Sequence, residues 1–272
     1  MNKKNKPKTI VFFSPVSHLG GAETNLVLMA KYLSKKGYKV VVVLPEGGPL
    51  VKILEDVGAE TVFLSQYWLQ CGQIFNILIG CCLLWWKLRK YKIDLIHINS
   101  IFSLYLPVYF GAYKKVPIKL HWADFDARKG DIQLINFFSK RITVFAISQH
   151  IYDFLIENNM KKEAISLLFY GVETPQVDSD IESIKQEYGL SKEDMHIAIT
   201  GRIDDWKGHK TLIKSLEPLR ELNIKLVIMG DYFLLKNKNL KVEINELIKE
   251  CQLEEKIVFT GYQKKPWNII QA

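Results

Sequence analysis

The stretch ITGRIDDWKGHKTLI, Ile199–Ile213, sets the grammar of this chain. HIAIT (His196–Thr200) reads as a strand, and the helical pattern behind it carries Leu212, Ile213 and Leu216 on one face. The short turn between them holds Arg202 and Lys207. A strand-to-helix turn aims backbone N–H groups and the positive end of the helix dipole outward, which favours an anion there. Two fixed cations on such a turn suit a diphosphate. The plain alternative is a surface loop with two solvated charges, the common fate of Arg and Lys. The rest of the chain decides between them.

The same alternation runs outward from this turn. KTIVFFS, KVVVVLP, ETVFLS, LIHINS, IKLHW and TVFAIS are short apolar or β-branched runs, most of them separated by helical patterns. AETNLVLMAKYLSKKG places Leu26, Met29, Ala30 and Leu33 on one helical face, with Gly37 as its C-terminal stop. Strands alternating with helices predict an α/β chain with doubly wound parallel sheets. The rhythm breaks over 173–194, where Pro175, Asp178, Ser179 and Asp180 precede a short helix, and this reads as an interdomain linker. KLVIMG, VEINELIKECQ and KIVFTGY then resume the pattern. The expected organisation is one domain over 1–172, a linker over 173–194 and a partial second domain over 195–272.

Composition bounds the function. The 272 residues suit about two domains, and 48% hydrophobic content can fill sizeable cores. Behind the Lys-rich start MNKKNKPK, IVFFS is short and reads as a strand, so no secretory signal is expected. Cys71, Cys81, Cys82 and Cys251 lack metal-ligand or disulfide-framework spacing and fit a reducing cytosol. The Cys81–Cys82 pair reads as small apolar filler in a helix. A net charge of +8 suggests nucleic acid, an anionic membrane surface or anionic substrates. The lysines are scattered rather than striped, which argues against nucleic acid. Residues 74–92, IFNILIGCCLLWWKLRKYK, are different: an apolar run too short to span a bilayer, then Trp85, Trp86 and a basic cluster. Tryptophan beside Lys and Arg suits an interfacial helix at headgroup level. A buried helix covering a sheet is the other reading, and different faces can satisfy both.

Candidate site residues lie at the ends of strands. In SPVSHLGGAE (Ser14–Glu23), Gly20 and Gly21 can take backbone angles that other residues avoid and let a ligand approach a helix N-terminus. A tight turn with close helix packing calls for the same glycines, and the pair is not a G-x-G-x-x-G. His97 and Asn99 end DLIHINS, and His121 ends the strand of KLHWADFD. Carboxyl ends of strands are where open α/β sheets bind ligands. A lone histidine there is also common as a structural group. Asp124 and Asp126 follow His121 without a second His or Cys at ligand spacing, so no metal site is expected.

Taken in order, GGAETNLVLMAKYLSKKGYKVVVV, DLIHINS, KLHWADFD, AISQHIYDFL, LLFYGVETP, ITGRIDDWKGHKTLI, LVIMGD and VFTGY resemble GT-B glycosyltransferases of the family 4 type. The resemblance runs from about Thr9 to the last residue and is most specific at GR–KG. It implies a GT-B fold: two Rossmann-like, doubly wound parallel-sheet domains facing a cleft, the second incomplete here. It implies a retaining transfer without metal or other cofactor. The N-terminal domain takes a saccharide or lipid-linked acceptor and the C-terminal one a nucleoside-diphosphate sugar. Arg202 and Lys207 match the pair that neutralises the donor diphosphate. Charge grows on that leaving group as the glycosidic bond breaks, and preorganised cations stabilise this state most. Arg suits bidentate phosphate contact and Lys acts as a point charge. Gly20 and Gly21 match the loop that touches the donor phosphates, and His121 a histidine near the transferred sugar. Glu23, in GGAE, is assigned a structural place at the helix N-terminus. His97 and Asn99 stand as acceptor-side candidates.

Two departures from the family pattern matter. Near the domain crossover the family reads Asn-Gly, and this chain has Tyr170–Gly171–Val172. After VFTGY and KKPWNIIQA the sequence ends before the family's paired-glutamate motif, about three βα units short of a full Rossmann-like half. Glu243 and Glu250 precede the VFTGY strand and do not replace that motif. The expectation is a C-terminally incomplete glycosyltransferase of cell-surface polysaccharide assembly, cytoplasmic and peripheral at the inner face of the membrane. Its rivals are a nucleotide-sugar epimerase on the same fold, and an inactive or split-chain fragment that needs a C-terminal partner.

Overall fold

The structure is a computed structural model that describes residues 8–70, 73–123, 128–175, 180–232 and 237–272. Cys71, Asp124, Asp126, Asp178, Ser179 and the first seven residues of the Lys-rich start lie outside the described residues. The chain divides into two compact units, Met1–Val172 and Glu173–Ala272.

Unit 1 begins β1 (Thr9–Phe13), α1 (Gly21–Lys35), β2 (Lys39–Leu44), α2 (Pro49–Asp56), β3 (Glu60–Phe63), α3 (Gln66–Leu69) and α4 (Ile74–Leu88). It continues β4 (Ile93–Ile98), α5 (Tyr105–Lys114), β5 (Ile118–Trp122), α6 (Lys129–Phe137), β6 (Ile142–Ala146), α7 (Gln149–Glu157) and β7 (Ile165–Leu167). The described strands form one parallel sheet in the order β3-β2-β1-β4-β5-β6-β7. Parallel sheets covered on both faces need strands that are apolar throughout, and all five residues of β1 are buried. Val11, Phe13, Val41, Val43, Ile96 and Ile98 pack with Leu84, Leu88, Leu106 and Phe110 of α4 and α5. Ile10, Phe12, Val40 and Val42 face the other way, against Leu26, Ala30, Leu50 and Leu54 of α1 and α2. The expected face of α1 is the one that docks, and Gly37, at φ 83°, ends the helix. The winding reverses between β1 and β4, which creates a crevice at their carboxyl ends.

Unit 2 holds α8 (Ile181–Tyr188), β8 (Met195–Thr200), α9 (His209–Leu216), β9 (Ile224–Met229), α10 (Leu240–Glu250), β10 (Ile257–Gly261) and α11 (Pro266–Gln271). The described strands pair in parallel, in the order β10-β9-β8. Leu226 and Ile228 pack with Ile213, Leu216, Ile244 and Ile248 of α9 and α10. On the opposite face, Val227 and Met229 meet Ile184, Leu190 and Ile269. The reading of 173–194 as a linker therefore needs correcting over 180–190. Asp180 caps α8 by accepting the Glu182 N–H at 3.1 Å, Gly189 ends the helix at φ 62°, and Ile184 is part of a core. The sequence shows the short helix, but with turn-forming residues ahead of it and one buried apolar position its place in the core of unit 2 could not be read from periodicity.

The turn after β8 is held by backbone. Gly201 N–H donates to Met229 O at 2.9 Å and Ile203 N–H to Asp231 O at 2.9 Å. Gly230 has φ 155°, and a Cβ there would stand 1.9 Å from Gly201 O. Gly230→Ala adds both a clash with backbone and a strained dihedral, so it is expected to destabilise unit 2 by about 2–4 kcal/mol. Urea unfolding followed by a unit 2 probe measures this, and wild-type stability in the variant would show that the two loops can separate freely.

Candidate functional site

The polar groups of unit 1 gather at the carboxyl ends of β1, β4 and β5. Phe12 lies opposite His97 in the β1–β4 register, and His121 lies opposite Phe145 in the β5–β6 register. His97 Nε2 and His121 Nδ1 are 3.0 Å apart, with the two residues only 5% and 2% exposed. Burial disfavours the imidazolium form of both. It lowers His121 to about 4 and His97 well below its ordinary value, with the charges on His121 and Lys119 adding to the shift of His97. At neutral pH the two rings are therefore neutral and share one proton in a hydrogen bond. Aromatic rings enclose them: Phe12 is 4.6 Å from His97, while Phe145 and Tyr170 lie 5.5 and 5.3 Å from His121. Tyr170, the departure from the family's Asn, is thus an edge-on wall of this pocket.

Asn99 is 2% exposed and acts as a tie. Its backbone N–H donates to Phe13 O at 2.9 Å and its side-chain Nδ2 to Ala22 O at 3.2 Å, joining β4 to β1 and to the first turn of α1. Both acceptor-side candidates, His97 and Asn99, are therefore buried and engaged inside unit 1.

Gly20 and Gly21 stand where α1 begins, but neither adopts positive φ; Gly20 is extended at φ −133°. A Cβ at position 20 would stand 2.8 Å from Glu23 Oε2, so a side chain there would have to displace the end of the Glu23 side chain. Gly21 opens onto empty space. The buried Glu23 carboxylate folds back over the helix N-terminus. Desolvation raises its pKa, and hydrogen bonds from its own N–H, the Gly20 N–H and the Ser14 side chain, with the charge of His18, pull it back. An internal anion thus takes the donors expected for a phosphate, in keeping with the structural place assigned to Glu23.

In unit 2, Arg202 and Lys207 converge on Trp206, a residue without a part in the sequence reading. Lys207 Nζ lies 3.8 Å and Arg202 Cζ 6.0 Å from the centre of its ring, a geometry favourable for cation–π attraction. Asp204, 7% exposed, accepts from Arg202 Nε at 3.0 Å and fixes the guanidinium. Gly208, at φ 81°, turns the chain into α9. His209 behind it is 2% exposed, and burial lowers its pKa more than the charge of Asp204 raises it. Asp204 Oδ1 and both ring nitrogens of His209 have no hydrogen-bond partner among the described residues. The Asp204 pairing was within reach of the sequence, since it lies two residues from Arg202. The burial of His209 was not, because its neighbours come from elsewhere in the unit.

Among the described residues no group of three or more His, Cys, Asp or Glu is placed to hold a metal ion, and no helix is long and apolar enough to cross a membrane.

A doubly wound seven-stranded parallel unit followed by a second α/β unit with a three-stranded parallel sheet matches the fold of GT-B glycosyltransferases. Residues 19–176 match the model of Glycosyltransferase Family 4 and residues 180–272 that of Glycosyl transferases group 1, and the chain belongs to glycosyltransferase family 4. A curated relative in Campylobacter jejuni is N-acetylgalactosamine-N,N'-diacetylbacillosaminyl-diphospho-undecaprenol 4-alpha-N-acetylgalactosaminyltransferase. It is 36% identical over 90 residues, 32% of this chain and 23% of that protein. An uncharacterized glycosyltransferase of Methanocaldococcus jannaschii is 22% identical over 250 residues, 79% of this chain and 60% of its own. The chain thus spans less than two thirds of these curated relatives. Among solved structures, a glycosyltransferase from Rickettsia africae superposes with a TM-score of 0.81 at 23% identity, over 97% of this chain and 70% of that one. Anabaena HepE, solved with UDP and glucose, gives 0.80 at 20% identity, over 97% and 71%.

The histidine pair makes stability depend on pH. Unfolded histidines titrate near 6.5, while the folded pair stays neutral, so the unfolded chain binds protons first as pH falls. The contribution is complete above about pH 6.5 and is lost toward pH 4, by up to about 1.4 kcal/mol per pH unit for each histidine. Urea midpoints between pH 7.5 and 4.5 are expected to fall less steeply in His121→Asn than in the wild type. Equal slopes would show that the pair titrates alike in both states.

Proposed function

We propose that this chain belongs to a retaining glycosyltransferase that moves a sugar from a nucleoside diphosphate to a saccharide or lipid-linked acceptor. The process is cell-surface polysaccharide synthesis at the cytoplasmic face of the membrane. The observation that carries this reading is the convergence of Arg202 and Lys207 on one ring at the carboxyl end of β8. As the bond between the anomeric carbon and the diphosphate oxygen breaks, negative charge collects on that oxygen. Two cations held by Asp204 and Trp206 need little reorganisation to meet it, the condition under which electrostatic stabilisation is largest. They supply the positive charge that a divalent ion supplies elsewhere, so transfer proceeds without metal. Within unit 1, Gly20 and Gly21 remain the donor-phosphate candidates, available once Glu23 yields the Gly20 N–H.

His121 is assigned orientation of the sugar rather than proton transfer. With its pKa near 4 it is almost entirely neutral at pH 7 and a weak base, far from the match of pKa to pH that general catalysis favours. The Campylobacter relative, named for a diphospho-undecaprenol-linked acceptor, and the Anabaena neighbour, solved with UDP and glucose, support an acceptor and donor of these classes.

In the intact protein, Arg202→Ala and Lys207→Ala are each expected to slow transfer about 100-fold, and EDTA to leave it unchanged. Turnover at the wild-type rate in either variant refutes the assignment. His121→Ala is expected to reduce transfer more than the affinity for UDP or GDP measured by calorimetry; equal losses would make it a structural residue. An epimerase would instead return the altered sugar still attached to its nucleotide.

A further inference from the structure

Helix α4 has two apolar faces, and the core uses one. Ile77, Gly80, Leu84 and Leu88 are buried, and a Cβ on Gly80 would stand 3.0 Å from Leu106 Cδ1 of α5. The helix therefore already lies as close to its neighbour as packing allows. A crossover helix in water is normally polar on its outer face. Here Phe75, Leu78, Ile79, Cys82, Trp85 and Trp86 recur at positions three, four, seven, ten and eleven after the first, and all six are exposed. Phe75 reaches 76% exposure and Trp86 57%.

Charge is distributed just as unevenly. Residues 74–92 contain no Asp or Glu, and the stretch closes with Lys87, Arg89, Lys90 and Lys92. Arg89 Cζ and Lys87 Nζ lie 5.5 and 6.0 Å from the Trp86 ring, so rings and cations share one level. Crossover helices run antiparallel to the strands they join, so the C-terminal end of α5 reaches the same edge of the sheet. It brings exposed Tyr113 with Lys114 and Lys115.

We propose that this outer face of α4 seats unit 1 on an anionic phospholipid surface. Phe75, Leu78, Ile79, Trp85 and Trp86 enter the boundary between headgroups and acyl chains, and Lys87, Arg89, Lys90 and Lys92 meet the lipid phosphates. At about 22 Å, fifteen residues lie in the plane rather than cross it. Charge selects lipid over a second copy of the chain. Two such faces would oppose cations with no carboxylate of the stretch to pair them, whereas a phospholipid surface offers an anion to each. These observations are independent of the donor site, so this surface and the transferase reading stand or fall separately.

Flotation of the intact protein tests the surface, using vesicles of phosphatidylcholine alone and with about 30% phosphatidylglycerol. Binding is expected to the anionic vesicles only, and raised salt should weaken it. Each cation at such a surface contributes about fivefold in partitioning, so Lys87→Ala/Arg89→Ala/Lys90→Ala should lose about 100-fold. Trp85→Ser/Trp86→Ser should lose at least about tenfold, with a wild-type circular dichroism melt because both side chains are exposed. If that pair fails to fold, Phe75→Ser probes the same face. Three results overturn the proposal: no binding to anionic vesicles, binding untouched by every variant, or a lipid-free dimer in sedimentation equilibrium that Trp85→Ser/Trp86→Ser dissolves.

Discussion

The pairing of β1 with β4 is the contact on which unit 1 depends. It is where the winding of the sheet reverses, and it sets Phe12 against His97 and Phe13 against Ile98. A parallel sheet covered on both faces tolerates polar side chains only where its strands run out. That constraint confines His97, Asn99 and His121 to one edge. It also explains why the two histidines are neutral: a charged imidazole among Phe12, Phe145 and Tyr170 would be stripped of water. Asn99 then ties the first turn of α1 to the same edge, so that loop, strand and histidine pair form one assembly.

Unit 2 solves a related problem with backbone instead of aromatic rings. Gly201 and Gly230 allow two loops to run in contact at the ends of β8 and β9. On that platform the GR–KG turn holds its charges by side chains at most four residues apart in sequence, Asp204 to Arg202 and Trp206 to both cations. Preorganisation here is local. In unit 1 it is spread over strands more than twenty residues apart, as the His97–His121 hydrogen bond shows.

The outer face of α4 places a third constraint on the chain. Packing against α5 consumes only one side of a helix that has two apolar faces. An isolated apolar helix would be read as buried on both sides, and here burial stops at Leu84 and Leu88 while Trp85 and Trp86 remain in contact with solvent.

Local sequence determined a good deal of this protein. The strand runs, the amphipathic face of α1, the Gly37 stop and the cationic turn at Arg202 and Lys207 follow from periodicity, turn chemistry and residue type, which act over a few residues. The resemblance carried by the ordered motifs added the GT-B architecture. Helix α8 was legible as a short helix, but its turn-rich approach and single buried position, Ile184, assigned it to the linker rather than to unit 2. Tertiary structure alone decided which polar residues meet: that His97 and His121 share a hydrogen bond, that Glu23 occupies the N–H groups at Gly20, that His209 is buried, and which face of α4 the core leaves exposed. The physical reason is that burial, and with it the protonation of a histidine or the exposure of a tryptophan, depends on neighbours brought by other elements. Sequence spacing alone contains no record of them.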